Sequence, residues 1–564
     1  VTFVIVIKTV SFVLLQYKQA ESRQTHISMK KLLLFAFTAS LLTAGCKKDG
    51  NEPTSEAILN SNEAELNKRV STDDNRVIFI DPVEGQLKRT ANDTSSNEYP
   101  LQLVATVSSP IYQGNTLRAT HVEINGNYAY VSYNTEGNTY LGGIDVFNIS
   151  NKTTPTLVTS ITLPNTDVSA LTYYDNKLYF AGSKDVSTLV GNTNPAFVGY
   201  FNLTNGVPST TTYTSAQFSG LAATHIVANN GKIYFSTGSV GGMYVVNAST
   251  LAQEQFINIA DVRSIAVNTD RIAVLTGSDL KIYNKTSYAL IRTIASGTQT
   301  AEAKRTIEFK NNYILVAGGA TGTKYYNTDN GQLADDISLP TSINGVLPQD
   351  IVTNAVSINN DLMFAANGGA GTFVITENQT AHTLTLVGAI NLSSPNSANY
   401  VKSAGDYIFV ATGKGGMKIL KVLRPSTNCG NLATYTGNSN LNVNSNQNLS
   451  YMGALSLHNL NVGGTLYYCG SLAVANNMNI NSAGTLEVNG TLAYGGGNNA
   501  TLIINGNATL KIRGNLNITG NLILNSGAKL EFLGSNNTVT ISGNVTKNSN
   551  VSITGNFSDL SGKL

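Results

Sequence analysis

Asn127-Tyr128-Ala129-Tyr130-Val131 is the stretch from which the fold can be read. A small polar turn leads into mostly apolar residues, and the phrase returns down the chain. It reads Asn176-Lys177-Leu178-Tyr179-Phe180, Gly231-Lys232-Ile233-Tyr234-Phe235 and Asp270-Arg271-Ile272-Ala273-Val274. It then reads Asn312-Tyr313-Ile314-Leu315-Val316, Asn360-Asp361-Leu362-Met363-Phe364 and Asp406-Tyr407-Ile408-Phe409-Val410. Counted from Tyr128, Lys177, Lys232, Arg271, Tyr313, Asp361 and Tyr407, successive copies lie 49, 55, 39, 42, 48 and 46 residues apart. Such a period fits one four-stranded propeller blade, so seven copies predict seven blades. Helical periodicity is missing throughout.

The rest of each copy fits the same unit. Apolar residues precede the turn, as in Val122-Glu123-Ile124, and a Gly-rich link follows, as in Thr237 to Gly242. A third strand comes next, such as Met243-Tyr244-Val245-Val246, and then a fourth, such as Pro155 to Ile161. The seventh copy runs out at Lys421-Val422-Leu423-Arg424, before any outer strand. Leu101 to Val107 reads as an outer strand with no blade of its own. We therefore expect it to complete the seventh blade, which removes the exposed edges of an open ring. The propeller is assigned to residues 99–424.

Gly142-Gly143-Ile144-Asp145-Val146-Phe147-Asn148-Ile149-Ser150, followed by Thr154-Pro155-Thr156-Leu157-Val158, resembles the LVIVD repeat of bacterial and archaeal surface proteins. The resemblance decays along the chain, and the aspartate is lost at Lys281-Ile282-Tyr283-Asn284 and Lys324-Tyr325-Tyr326-Asn327. It implies a propeller and brings no settled activity with it.

After Pro425 charges almost vanish, and apolar residues recur every six positions: Leu510, Leu516 and Leu522, each with a second apolar residue two places on. Two inward residues per short strand, with Gly or Asn at the corners, suit a narrow parallel β-solenoid. Three sides predict roughly eighteen residues per coil and about six or seven coils. Phe557 to Leu564 is the expected cap. The predicted fold class is all-β: a seven-bladed β-propeller followed, over 425–564, by a right-handed parallel β-solenoid, or β-helix.

At the other end, Met29-Lys30-Lys31 precedes an apolar run that closes on Leu42-Thr43-Ala44-Gly45-Cys46. Charge, apolar stretch and small residues in that order make an export signal, and the ending resembles the bacterial lipoprotein lipobox. The resemblance implies lipidation of Cys46, removal of residues 1–45 and membrane attachment through an N-terminal lipid. Residues 1–28 lack the usual leading charge, and Met29 is the expected start. Lys47-Lys48-Asp49-Gly50-Asn51-Glu52 looks like the charged tract of Bacteroidetes lipoproteins, which favours the outer membrane or cell surface, with a periplasm-facing position still open. Residues 46–98 read as a polar tether, with a short helix over Ala57 to Val70 and a lone strand at Val77-Ile78-Phe79-Ile80.

Composition sets further bounds. Net charge is +2 and charged residues are 12% of the chain, so nothing points to a nucleic-acid partner. Of three cysteines, Cys46 takes the lipid; Cys429 and Cys469 are a candidate disulfide, with two buried thiols as the alternative.

Aligning the seven repeats places His121, Ala170, His225, Ser264, Thr306, Asn354 and Tyr400 in one ring at a mouth of the central channel. The preceding residues, including Arg263 and Arg305, form a second ring. Arginine forks suit carboxylates and phosphates, and histidine binds metals or titrates near neutrality. His121, His225, Arg263, Arg305, Asn354 and Tyr400 are therefore the candidate ligand-binding residues. Polar inner-strand starts also occur simply because channels hold water. No carboxylate shares the histidine ring, so no metal is expected. No nucleophile elbow, phosphate loop or cofactor motif is evident, and no catalytic residue or cofactor is assigned. The expected function is a non-enzymatic binding or interaction module of the cell envelope, for a glycan, peptide or protein. The alternatives are a propeller enzyme acting on an extracytoplasmic sugar or small acid, and a structural envelope or adhesion component.

Overall fold

A computed structural model describes residues 57–72, 77–78, 101–189, 194–297, 304–343, 345–360, 362–390, 396–423, 429–495 and 500–564. Met29, Cys46, the tract after it and Phe79-Ile80 lie outside the described residues.

Seven antiparallel sheets follow one another: blades 1 to 6 are each built on four strands in chain order, and blade 7 takes its outer strand from before blade 1. Blade 1 holds Arg118–Asn125, Tyr128–Asn134, Leu141–Asn148 and Thr156–Pro164. The six later inner strands are Thr166–Tyr174, His225–Asn229, Val262–Val267, Ile307–Lys310, Ile351–Asn359 and Tyr400–Ala404. The turn phrase forms the first hairpin of each blade, and its apolar residues form the second strand. That strand is flanked by sheet on both sides and by neighbouring blades on both faces. Hence Ala129, Phe180, Phe235, Val274, Leu315, Phe364 and Phe409 are all fully buried.

Blade 7 is closed as the sequence predicts. Leu101–Val107 pairs antiparallel with Met417–Val422, from Met417↔Val107 to Val422↔Leu101. Chain start and chain end of the propeller thus share one sheet.

The described part of the segment read as a tether belongs to the propeller. Ile58–Asn60 adds a fifth strand to blade 1 by pairing with Thr156–Pro164. A single helical turn, Glu63–Leu66, follows, capped by the Asn62 side chain, and a 3-10 turn covers Asn67–Arg69. Val70–Ser71 and Val77–Ile78 then pair with Leu101–Val107 on blade 7. The expected helix shrinks to one turn because strand pairing takes its start, and the lone strand has a partner. Residues 57–72 therefore form a strap across the seam where the ring closes. Asn67 holds it to blade 1 through the backbone of Leu157, accepting from the N–H at 2.9 Å and donating to the carbonyl at 3.1 Å.

After the propeller, parallel strands stack in register into a solenoid of about six turns. Paired positions are offset by 17 residues at Asn448↔Thr465 and by 24 at Thr485↔Thr509, so coils are less uniform than the expected eighteen. Leu466, Leu486, Leu510 and Leu530 stack in one column, and Leu472, Leu492, Leu516 and Val539 in another, all fully buried. Asparagine amides continue from coil to coil outside: Asn459 donates to Asn440 at 2.6 Å and Asn477 to Asn459 at 3.0 Å. Cys429 and Cys469 form a disulfide with Cα atoms 5.4 Å apart, tying the segment after the propeller to the solenoid. At the far end Asp559 accepts backbone N–H bonds from Ser561, Gly562, Lys563 and Leu564, folding the last residues back.

Candidate functional site: the channel mouth

An innermost propeller strand has a free edge, whose N–H groups need acceptors. Here the preceding blade supplies them. Tyr173 N donates to Glu123 Oε1 at 3.3 Å, and Ala228 N to Thr172 Oγ1 at 3.3 Å. Ile265 N donates to His225 Nδ1 at 3.4 Å, Val356 N to Thr306 Oγ1 at 3.0 Å and Ile358 N to Glu308 Oε2 at 3.2 Å. Ser403 N donates to Ser357 Oγ at 3.1 Å. Much of the polarity of the inner strands is therefore structural. His225 belongs to this set: its Nδ1 is an acceptor, which places the ring proton on Nε2.

Hairpin register fixes which residues share a level. His121, Ala170, His225, Ser264 and Tyr400 pair with Ser132, Ala181, Ser236, Leu275 and Ala411, each four residues into its strand pair from the turn. In blade 6 that place belongs to Ala355, paired with Ala366, because the turn closes at Asn359↔Leu362. Asn354 therefore falls one position earlier than expected, and its amide donates to the Ala398 carbonyl at 3.3 Å.

The structure brings His121, His225 and Tyr400 together. The two histidine rings lie 5.9 Å apart, and His121 lies 3.9 Å from the Tyr400 ring. All three are at most 6% exposed. Burial, then the nearby Lys304 charge, pushes both histidines down, His225 to about 3. Both are neutral at physiological pH.

The arginines do not join them. Arg305 is fully buried within the blades: Nε donates to the Ala317 carbonyl at 3.1 Å and Nη1 to the Gly277 carbonyl at 2.5 Å. Its backbone has φ of +57°, a left-handed turn that no repeat alignment reveals. Arg263 is ion-paired with Asp261 of its own blade at 2.9 Å.

The cation at the mouth is Lys304, which the sequence reading passed over. From the start of blade 5 its side chain reaches across the channel. Its ammonium donates to the carbonyls of Ser169 at 2.5 Å and Thr120 at 3.3 Å, and lies 5.2 Å from the Tyr400 ring centre. Burial pushes its pKa down to about 7. Deeper in, Lys402 sits among Glu308, Tyr400 and Glu123, which hold it above the usual lysine range against its burial. Burial in turn raises both carboxyls.

The depressed lysine makes a pH prediction. Between about pH 7 and the ordinary lysine value of 10.5, the folded protein has shed a proton that the unfolded chain keeps. The unfolded state then binds more protons, so stability rises with pH across that window. Wild type is expected to gain stability from pH 7 to 10 relative to Lys304→Met, measured by denaturant unfolding. Parallel curves would show that Lys304 carries no burial penalty. His121, His225, Tyr400, Lys402, Glu123 and Glu308 are common to both proteins and cancel to first order.

Among the described residues, no group of three His, Cys, Asp or Glu comes together to hold a metal.

The LVIVD repeat family matches residues 118–162, which span the four strands of blade 1. No curated protein matches the chain. Among solved structures the chain is similar to the WD40 repeats of RRP9, at 10% identity and a TM-score of 0.43, covering 58% of this chain and 99% of that one. It is also similar to the computationally designed Ika8 protein, at 10% identity and a TM-score of 0.36, covering 62% and 97%.

Proposed function

We propose that this is a binding or interaction module of the bacterial cell envelope, held to the membrane by a lipid on Cys46. It would take a glycan, peptide or protein ligand without turning it over. The observation that carries the reading is the channel mouth: a closed, seven-bladed ring with the Lys304 ammonium across it and the neutral rings of His121, His225 and Tyr400 grouped beneath. The carboxylates farther down are engaged with backbone N–H groups and with Lys402. That argues for a framework role rather than an acid–base pair awaiting substrate.

A second surface deserves a place in the test. A cleft of about 600 Å³ lies between blades 7 and 1 and the late solenoid coils, lined by Thr153, Lys421, Asn517, Thr538, Ser542 and Lys563 among others. Hydroxyls, amides and two lysines suit a polar chain such as a glycan.

The experiment is a binding screen of the chain from Lys47 onward against glycans and envelope and extracellular proteins. A saturable ligand lost in His121→Ala/Lys304→Ala and kept in Lys421→Ala/Lys563→Ala supports the channel mouth. The reverse pattern moves the function to the cleft, and turnover of a bound sugar or small acid would overturn the non-enzymatic reading.

A further inference from the structure

Three features of the mouth are unexplained by the packing of the propeller. Among the described residues, the Lys304 ammonium meets neutral groups: two backbone carbonyls and the Tyr400 ring. The Nδ1 atom of His121, a residue 2% exposed, is buried without a hydrogen-bond partner among the described residues. The hydroxyl of Ser264, fully buried on the same level of the ring, is likewise without one. Unpartnered buried polar atoms and uncompensated charges are costly, so their coincidence at one level of one channel calls for a ligand. The equivalent atoms of His225 and Thr306 are occupied by the adjacent blade, so the ring does not require these vacancies in order to close.

We infer that the channel mouth binds a carboxylate, taken by the Lys304 ammonium, with His121 Nδ1–H and Ser264 Oγ–H as further donors. This rests on the reading of the protein as a binding module. The Lys304 ammonium and neutral histidines match a single negative charge; a phosphate dianion would need a second cation, and Lys402 already faces Glu308 and Glu123. Charge-assisted hydrogen bonds in a site away from water are strong enough to select the ion over its neutral analogue. An acidic sugar and a peptide C-terminus both present this group.

The test is calorimetric titration of the chain from Lys47 onward with four probes: galacturonate, its methyl ester, acetyl-Gly-Gly and acetyl-Gly-Gly-amide. At least one acid is expected to bind about 10- to 100-fold more tightly than its neutral partner, and the tighter acid identifies the source. Lys304→Met should lose the same factor, Ser264→Ala part of it, and Lys414→Met none. Ser264→Ala keeps the inference testable if Lys304→Met does not fold. Acids that bind no better than their neutral analogues, or a Lys304→Met protein that binds as wild type does, would overturn the inference. If a screened ligand still depends on His121 while charge makes no difference, only the carboxylate fails. If nothing binds at the mouth, the binding module fails with it.

Discussion

Replacing Arg69 by alanine is expected to destabilise the propeller by about 3–5 kcal/mol, the effect of breaking a buried ion pair from one side. Arg69 lies in the strap and forks onto Asp145 in blade 1. Nη2 meets Oδ2 at 2.5 Å and Nη1 meets Oδ1 at 3.2 Å, while Nε and Nη2 also donate to the Ser108 carbonyl at 3.0 and 2.9 Å. Asp145 is 1% exposed, and without Arg69 it loses its counter-charge and keeps Ser160 Oγ, at 2.6 Å, with the Tyr133 side chain nearby. Ser108 directly follows the strand that closes blade 7, so one guanidinium joins both sides of the seam. Asp145→Asn in the Arg69→Ala background should restore part of the loss, since it removes the stranded charge. Arg69→Lys should restore less, because an ammonium cannot fork to both partners. Denaturant unfolding gives each value. A loss under about 0.5 kcal/mol would mean the strap behaves like a surface ion pair. The same geometry bears on the motif aspartate: blade 1 keeps it where Arg69 reaches it, while later blades without that strap have lost it.

Gly490→Ala should be as damaging, in the solenoid. Gly453, Gly470, Gly490 and Gly514 stack in register along one corner, with φ between +113° and +140°. Side chains rarely adopt that backbone, and forcing one costs on the order of 1–3 kcal/mol. In addition, a Cβ on Gly490 would sit 2.1 Å from the Gly470 carbonyl oxygen, where nothing flexible can give way. The coils are held by nearest-neighbour stacking, so a fault at the middle coil should loosen coils on both sides. Hydrogen exchange is expected to show lost protection across 465–518, while the propeller's inner strands keep theirs. Unchanged protection there would contradict the tight corner. Gly126, with positive φ but nothing within 4 Å of an added Cβ, is the milder comparison.

The propeller was legible because its signal is repeated seven times and depends only on burial. Second strands must be apolar on both faces, and turns must be small or polar. Closure was legible for the same reason: one strand was missing at the end and one was spare at the start. The solenoid announced itself through Leu510, Leu516 and Leu522. The candidate site was less legible, because rings across a channel depend on register to the single residue. Asn354 falls one position from its expected place, since the first hairpin of blade 6 closes at Asn359↔Leu362, one residue later than the repeat alignment puts it. Arg305 was drawn to the mouth by its match with Arg263, yet its positive φ turns it into the blades and leaves the mouth to Lys304. The strap escapes the sequence because its strands are two or three residues long and too brief for any periodicity.

The channel mouth as the binding face can be tested most directly by lysine footprinting. The chain from Lys47 onward is treated with an amine-acylating reagent, with and without the tightest ligand of the screen, and modification is read residue by residue. Ligand is expected to protect Lys304 and to leave Lys152, Lys414 and Lys563 unchanged. Saturating ligand that leaves Lys304 as reactive as before, or that protects Lys421 and Lys563 in its place, would contradict it.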